Sequence, residues 1–246
     1  MFKKLMASVG IGNATVDTIV KTKNIYPDSM VDLEIVIKGG SVEQDLSGLS
    51  IALCTAVKQE VESGDIEFDY NSTYIISQFK VPMEHTLIQP KEEMVIECQI
   101  HIHPETPITA LRSQSAVWLR TGLDIDNGLD ASDKDYLVIQ MPRLQETILS
   151  ALSELGYSLV KIDTEQGHLR GADFQASIGC YQEFEFKSNG FFSDKEVEVS
   201  FVQFDDSLGV VLEIDRHYGG DSYRSALIPL DANYDEVLFW LKDNIA

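Results

Sequence analysis

Between Met30 and Lys38 the chain reads MVDLEIVIK, with Val31, Leu33, Ile35 and Ile37 falling on one side and Asp32 and Glu34 on the other. A period of two is the mark of a half-buried strand, because successive side chains of a strand point to opposite faces. The pattern recurs with Leu49, Ile51, Leu53, Thr55 and Val57, and again with Met94, Ile96, Cys98, Ile100 and Ile102. Ala14 to Lys23 alternates more loosely, with Val16, Thr18 and Val20 on one face, and Glu67 to Val81 is β-branched and aromatic, as strands prefer. Pro27, Gly39, Gly40, Pro82, Pro90, Pro104 and Pro107 punctuate these runs. Short strands joined by such turns, with no strong helix among them, predict an antiparallel β-sandwich.

A strand over Ser115 to Leu123 leads into a turn dense in aspartate, and Trp118 to Gln140 as a whole reads strand, turn, strand. Then the period changes. Leu144, Ile148, Leu149, Leu152 and Leu155 recur at helical spacing, with Pro142 suited to the first turn and Gly156 to the position just past the end. Strands are predicted again over Tyr157–Ile162, Tyr181–Lys187, Glu196–Phe204, Val210–Asp215 and Ser222–Leu230, and a closing helix over Tyr234–Ile245 buries Val237, Leu238 and Leu241. The fold class is therefore mainly β in two lobes, residues 1–130 and 131–246. One helix stands near 142–155 at the start of the second lobe and another near 234–245 at its end.

Length and composition agree with this. A chain of 246 residues with 44% hydrophobic content can bury two cores. A formal net charge of -21 excludes the clustered Lys and Arg that nucleic acid and anionic membranes require. It favours basic protein partners or cations. No apolar run approaches the roughly 18 to 20 residues that cross a bilayer. The lead-in MFKKLMASVGIG is broken by Gly10 and Gly12 and is not expected to act as a signal peptide. Phe2, Leu5, Met6, Lys3 and Lys4 offer only a short amphipathic segment for envelope association. Cys54, Cys98 and Cys180 form no CxxC and read as reduced thiols, so the expected compartment is the cytoplasm.

Two groups of residues are candidates for metal. Asp124, Asp126, Asp130, Asp133 and Asp135 supply hard oxygen ligands on a turn, as calcium prefers. Asp124 and Asp126 match the first two ligand positions of an EF-hand loop and Asp135 its last, but Gly128 comes one residue early and the closing glutamate is missing. The competing reading is a solvated inter-lobe turn whose aspartates accept from backbone N–H groups. His101 and His103 stand two apart on a predicted strand and would share a face, as two zinc ligands can, but Glu97 and Gln99 make the same face an ordinary polar one. The chain has no GxSxG, no cysteine–histidine signature, no Walker loop and no HExxH. Trp118 and Trp240 read as packing residues. No cofactor is expected.

Three stretches in order resemble a known family. Phe2 to Thr18 (FKKLMASVGIGNATVDT), Val36 to Leu53 (VIKGGSVEQDLSGLSIAL) and Thr121 to Tyr136 (TGLDIDNGLDASDKDY) are similar to the bacterial sporulation-control protein M family. The following helix and Tyr181 to Gly190 (YQEFEFKSNG) also fit, so the resemblance covers most of the chain. It implies two arrestin-like β-rich lobes, and Ile100 to Thr109 (IHIHPETPIT) looks like the strand-then-proline turn of an arrestin N-lobe. His101 and His103 depart from the apolar or small residues usual there. The resemblance implies a non-enzymatic regulatory adaptor, in sporulation or in envelope and developmental control according to the host. Its protein partner is not named by the sequence, and a homo-oligomer stays open. On this reading the five aspartates form an acidic inter-lobe seam for partner binding. The alternative is a calcium or zinc sensor, or a metal-dependent enzyme, built on the aspartate run or on His101 and His103.

Overall fold

The structure, a computed structural model, describes residues 12–63, 66–84, 86–111, 115–188, 195–216 and 222–245. The N-terminal residues Phe2 to Met6 and the Tyr181–Gly190 stretch beyond Ser188 lie outside it.

Period-two alternation folds as it predicts. Strands β1 (Thr15–Val20), β2 (Met30–Lys38) and β6 (Glu93–His101) form a three-stranded antiparallel sheet in the order β1-β2-β6. Val31, Leu33, Ile35 and Ile37 of β2 are buried to 2% exposure or less, and Ile100 of β6 joins them. This sheet closes over β3 (Gln44–Ser63), β4 (Ile66–Val81), β5 (Thr86–Ile88), β7 (Val117–Asp126) and β8 (Ala131–Leu137). Leu49, Ile51, Leu53, Val57, Leu119 and Leu123 point inward and make one apolar core with β2. Truncating a residue such as Ile35 or Leu53 to alanine costs about 2–5 kcal/mol in such a core.

Helix α1 (Arg143–Glu154) and helix α2 (Tyr234–Ile245) cover one face of the second unit. Pro142 stands at the N-cap with ψ 147°, one position before the first helical turn, and its carbonyl accepts the Glu146 N–H. Gly156 takes φ +89° just past the helix, a conformation that only glycine adopts at no cost. Beneath the helices, β9 (Tyr157–Gln166), β10 (Cys180–Ser188), β11 (Lys195–Gln203), β12 (Ser207–Arg216) and β13 (Ser222–Pro229) run antiparallel in sequence order. Phe184, Phe186, Val197, Val199, Leu212 and Ile214 pack against Ile148, Leu152, Val237 and Leu241.

The two units are not separate sheets. Strand β3 is 20 residues long, a span of about 66 Å at the usual rise. Its first half pairs with β7 from Asp45 to Thr55, and Lys58 then bridges in parallel to Glu165 of β9. One sheet of ten strands thus runs through both lobes. The first core runs to Ile139 and takes in Ile178 and Cys180 from the second unit, whereas the second core begins at Leu144.

A polar joint fixes the lobes to each other. Gln182 of β10 is buried, and its side-chain amide pairs with Ile108 of the first lobe at both ends. The Ile108 N–H donates to Oε1 at 2.8 Å and Nε2 donates to the Ile108 carbonyl at 2.9 Å. Nε2 also donates to Ser115 Oγ at 3.0 Å, and Ser115 Oγ lies 2.7 Å from Thr164 Oγ1 of β9. Nearby, the Glu105 carboxylate accepts from Ser177 N at 2.8 Å and from Ser177 Oγ at 2.6 Å.

Candidate functional site

The face of the second-lobe sheet that turns away from the helices is acidic, and register makes it so. On β10 the buried Phe184 and Phe186 alternate with Glu183 and Glu185, and on β11 the buried Val197 and Val199 alternate with Glu196 and Glu198. Pairing then sets one row abreast across five strands. Lys161 of β9 faces Glu185 of β10, Glu185 faces Glu198 of β11, Glu198 faces Glu213 of β12, and Glu213 faces Tyr223 of β13. Like charges opposite each other on neighbouring strands destabilise a sheet. Here three stand in line, relieved by Lys161 across from Glu185, by Lys187, whose Nζ lies 3.3 Å from Glu185, and by the Tyr223 hydroxyl, which donates to Glu213 Oε1.

These side chains line an open cleft of about 930 Å³ where the second-lobe sheet meets β3. Glu165, Glu183, Glu185, Glu198 and Glu213 are its five carboxylates, and Lys58 and Lys161 its two cations. Both lysines are engaged at one wall. Lys58 Nζ lies 4.0 Å from Glu165, and Lys161 Nζ lies 2.5 Å from the buried Asp163. A second depression of about 300 Å³ shares Glu183, Glu198 and Glu213 and reaches His168 and Arg170 on the loop before β10.

Crowding shows in the acidities. Burial first, then the charges of Glu198, Glu165 and Glu213, push Glu183 up to about 8, with Lys161 opposing. Burial and the charges of Glu213, Glu185 and Glu196 push Glu198 up to about 7. Partial burial first, then the charge of Glu183, push Tyr181 up to about 12. Near neutral pH part of this cluster holds its protons. A cation entering the cleft would release them, because an opposite charge favours the ionised form.

The residues singled out in the sequence lie elsewhere, and they do not form one site. The aspartate run is the β7–β8 hairpin, and both of its strands pack into the first core, so the passage between the cores lies beyond it. The turn after β7 pairs the two strands antiparallel, and the acidic cleft is lined by residues of β3, β9, β10, β11 and β12. Asp124 and Asp126 are exposed on β7, whereas Asp133 and Asp135 alternate onto the inner face of β8. Asp130 Oδ1 accepts from Ile125 N at 3.0 Å, and Asp133 Oδ2 accepts from Thr18 N at 2.7 Å. His101 and His103 do not share a strand face, because β6 ends at His101. His101 Nε2 pairs with Asp28 Oδ1 at 2.8 Å, while His103 turns toward the second lobe, its Nδ1 accepting from Glu105 N at 3.1 Å. Among the described residues no group of three or more His, Cys, Asp or Glu side chains is arranged to hold a metal ion. The three cysteines are free, and burial raises each thiol, Cys180 to about 12. No helix of the described residues is long and apolar enough to cross a membrane.

A two-lobed, mainly β chain with this element order matches the SpoOM protein family model over residues 2–218, and the chain belongs to that family. Among its relatives, the sporulation-control protein spo0M of Bacillus subtilis (strain 168) is 34% identical over 222 residues, which is 89% of this chain and 82% of the relative. The crystal structure of Spo0M from Bacillus subtilis superposes with a TM-score of 0.81 at 27% identity and covers 95% of this chain and 98% of that one.

Proposed function

We propose that this chain is a non-enzymatic regulatory adaptor of sporulation control that works by binding protein partners, and that a basic segment of a partner seats in the acidic cleft beside β3. Where the host forms no spores, the same binding role serves envelope or developmental regulation. The observation that carries the reading is the row Glu185, Glu198 and Glu213, with Glu183 beside it, held abreast in a concave wall. Three like charges in line are costly to a sheet; Lys187 answers Glu185, and a partner's Lys or Arg side chains would supply counter-charge to Glu198 and Glu213. The family's name as a sporulation-control protein supports a regulatory task.

The test is affinity capture from the native host's cytosol at low and at high salt, with the wild-type chain and with Glu183→Gln combined with Glu198→Gln. The expected result is a recurring basic protein that is retained at low salt, lost at high salt and lost with the double variant. Retention by the double variant at high salt would overturn the cleft as its seat.

A further inference from the structure

The outer side of the first lobe's larger sheet faces solvent, and its side chains run against the charge of the chain. The strands stand in the order β4-β3-β7-β8. Register sets rows across them. Lys80 of β4 faces Ser50 of β3, which faces Gly122 of β7. In the next outward row Gln78 faces Ala52, Ala52 faces Arg120, and Arg120 faces Lys134 of β8. Lys80, Arg120 and Lys134 are all exposed. The β3 side chains between them are small, so the cations look across a shallow furrow. One row further on, Trp118 stands between Cys54 and Tyr136. Lys134 Nζ lies 4.0 Å from the Trp118 ring centroid and 4.6 Å from that of Tyr136, so two rings hold one ammonium. Trp118 in turn packs on Ala52 and Cys54, in a small cluster apart from the cores of the two lobes.

Among the described residues no carboxylate answers these cations. Lys21, Lys38, Lys58, Lys161 and Lys187 form ion pairs, whereas Lys80, Arg120 and Lys134 form none. In a chain with 40 Asp and Glu against 19 Lys and Arg, chance alone would supply them with acids. Arg120 and Lys134 are also like charges directly opposite on neighbouring strands, an arrangement that destabilises a sheet. A ring face steadies an ammonium but brings no counter-charge. Both cations stand near enough to Cys54 to oppose the rise that burial gives its thiol. On β7 the same face turns acidic only at Asp124, two residues past Gly122. Beside the cations, Tyr136 and Ile75 expose apolar surface.

We propose that this face is a second docking surface and that its occupant is an acidic segment of a protein partner, with carboxylates on Arg120, Lys134 and Lys80 and an apolar side chain against Tyr136. Arg120 presents a planar fork that one carboxylate fills with two parallel bonds. Lys134 is already held by its two rings, so it has little side-chain freedom left to lose on binding. The net charge of -21 repels such a partner at a distance. Salt screens that field within about 8 Å, and the charges on the face then decide the contact. An anionic membrane fits less well, because three cations give a lipid surface little to hold against the repulsion of the whole chain. The surface is distinct from the cleft beside β3, which takes the opposite charge.

The experiment is an NMR titration of the full chain with a short peptide of repeated Glu-Glu-Leu and, separately, with its Lys-Lys-Leu counterpart. The expected result is a saturable shift of the Trp118 indole N–H, the Tyr136 ring and the Arg120 side chain with the Glu peptide, lost at high salt, and no shift of these groups with the Lys peptide. Arg120→Gln and Lys80→Gln are each expected to weaken the Glu peptide by roughly threefold, the scale of one exposed ion pair. Both stand at exposed positions, where a substitution leaves the fold intact. No shift of these groups up to about 1 mM peptide, or a shift that both variants leave unchanged, would overturn the proposal. So would vesicles of phosphatidylglycerol that move the same groups where the peptide does not. Self-association of the wild-type chain in sedimentation, abolished by Arg120→Gln, would give the face to a second copy and overturn it too. The Lys peptide reads the cleft through Glu198, so the two docking surfaces stand or fall separately.

Discussion

Glu198 concentrates the tension in this molecule. It sits on a central strand, with Glu185 opposite on one side and Glu213 opposite on the other, and it is raised to about 7. Glu183, raised to about 8, lies on the neighbouring strand. Both carboxyls are raised, so their contribution to stability is complete in acid and drains away as pH climbs through 7 and 8. Melting temperature at fixed ionic strength is therefore expected to fall from pH 5.5 to 8.5, by a smaller amount in Glu198→Gln, with the variant the more stable protein at the alkaline end. Each like-charge pair removed is worth less than about 1 kcal/mol. A Glu198→Gln protein that melted lower than wild type at alkaline pH would mean that the row is relieved by something other than proton uptake. Binding residues often trade stability in this way.

At the scale of elements, the joint between the lobes depends on Gln182, which β10 carries into the first lobe. Its one amide answers both the N–H and the C=O of Ile108 and reaches Ser115 as well. Gln182→Leu keeps much of the bulk and leaves the Ile108 groups buried and unpaired. The expected loss is about 2–4 kcal/mol in chemical denaturation, from two orphaned backbone groups. A loss below about 0.5 kcal/mol, the level of an ordinary surface change, would contradict the joint. The strands and both helices were legible from periodicity. Tyr234–Ile245 has the bounds its spacing predicts, and Val31, Leu33, Ile35 and Ile37 are buried as their alternation requires. The short β5 carries too few residues to show a period. The candidate site was only half legible. The alternation of glutamate with Phe and Val in Tyr181–Lys187 and Glu196–Phe204 marks a polar face, but a local pattern cannot reveal the register that sets Glu185, Glu198 and Glu213 abreast, nor the wall that β3 adds. The aspartate run drew notice by its density and by a partial match to EF-hand ligand spacing. Its members divide between the two faces of a hairpin, where Asp130 and Asp133 serve backbone N–H groups.

Over the whole molecule, β3 belongs to both lobes, and this places the cleft. The strand parts from β7 beyond Thr55 and stands beside β9 at Lys58, so that the acidic face of the second sheet gains a side wall. The opposite face is closed by α1 and α2, with Phe239 of α2 75% exposed on the far side. Cleft and helix face are thus two surfaces of one body, and a partner can be asked which it touches. The most direct measurement places a photo-crosslinking residue at Gln166, on the cleft rim, and in a second protein at Phe239, each irradiated in the host's cytosol at low salt. The account predicts one recurring adduct to a basic segment of a partner from Gln166, absent at high salt, and none of that partner from Phe239. The same adduct from Phe239 with nothing from Gln166 would contradict it and move the binding surface to the helices.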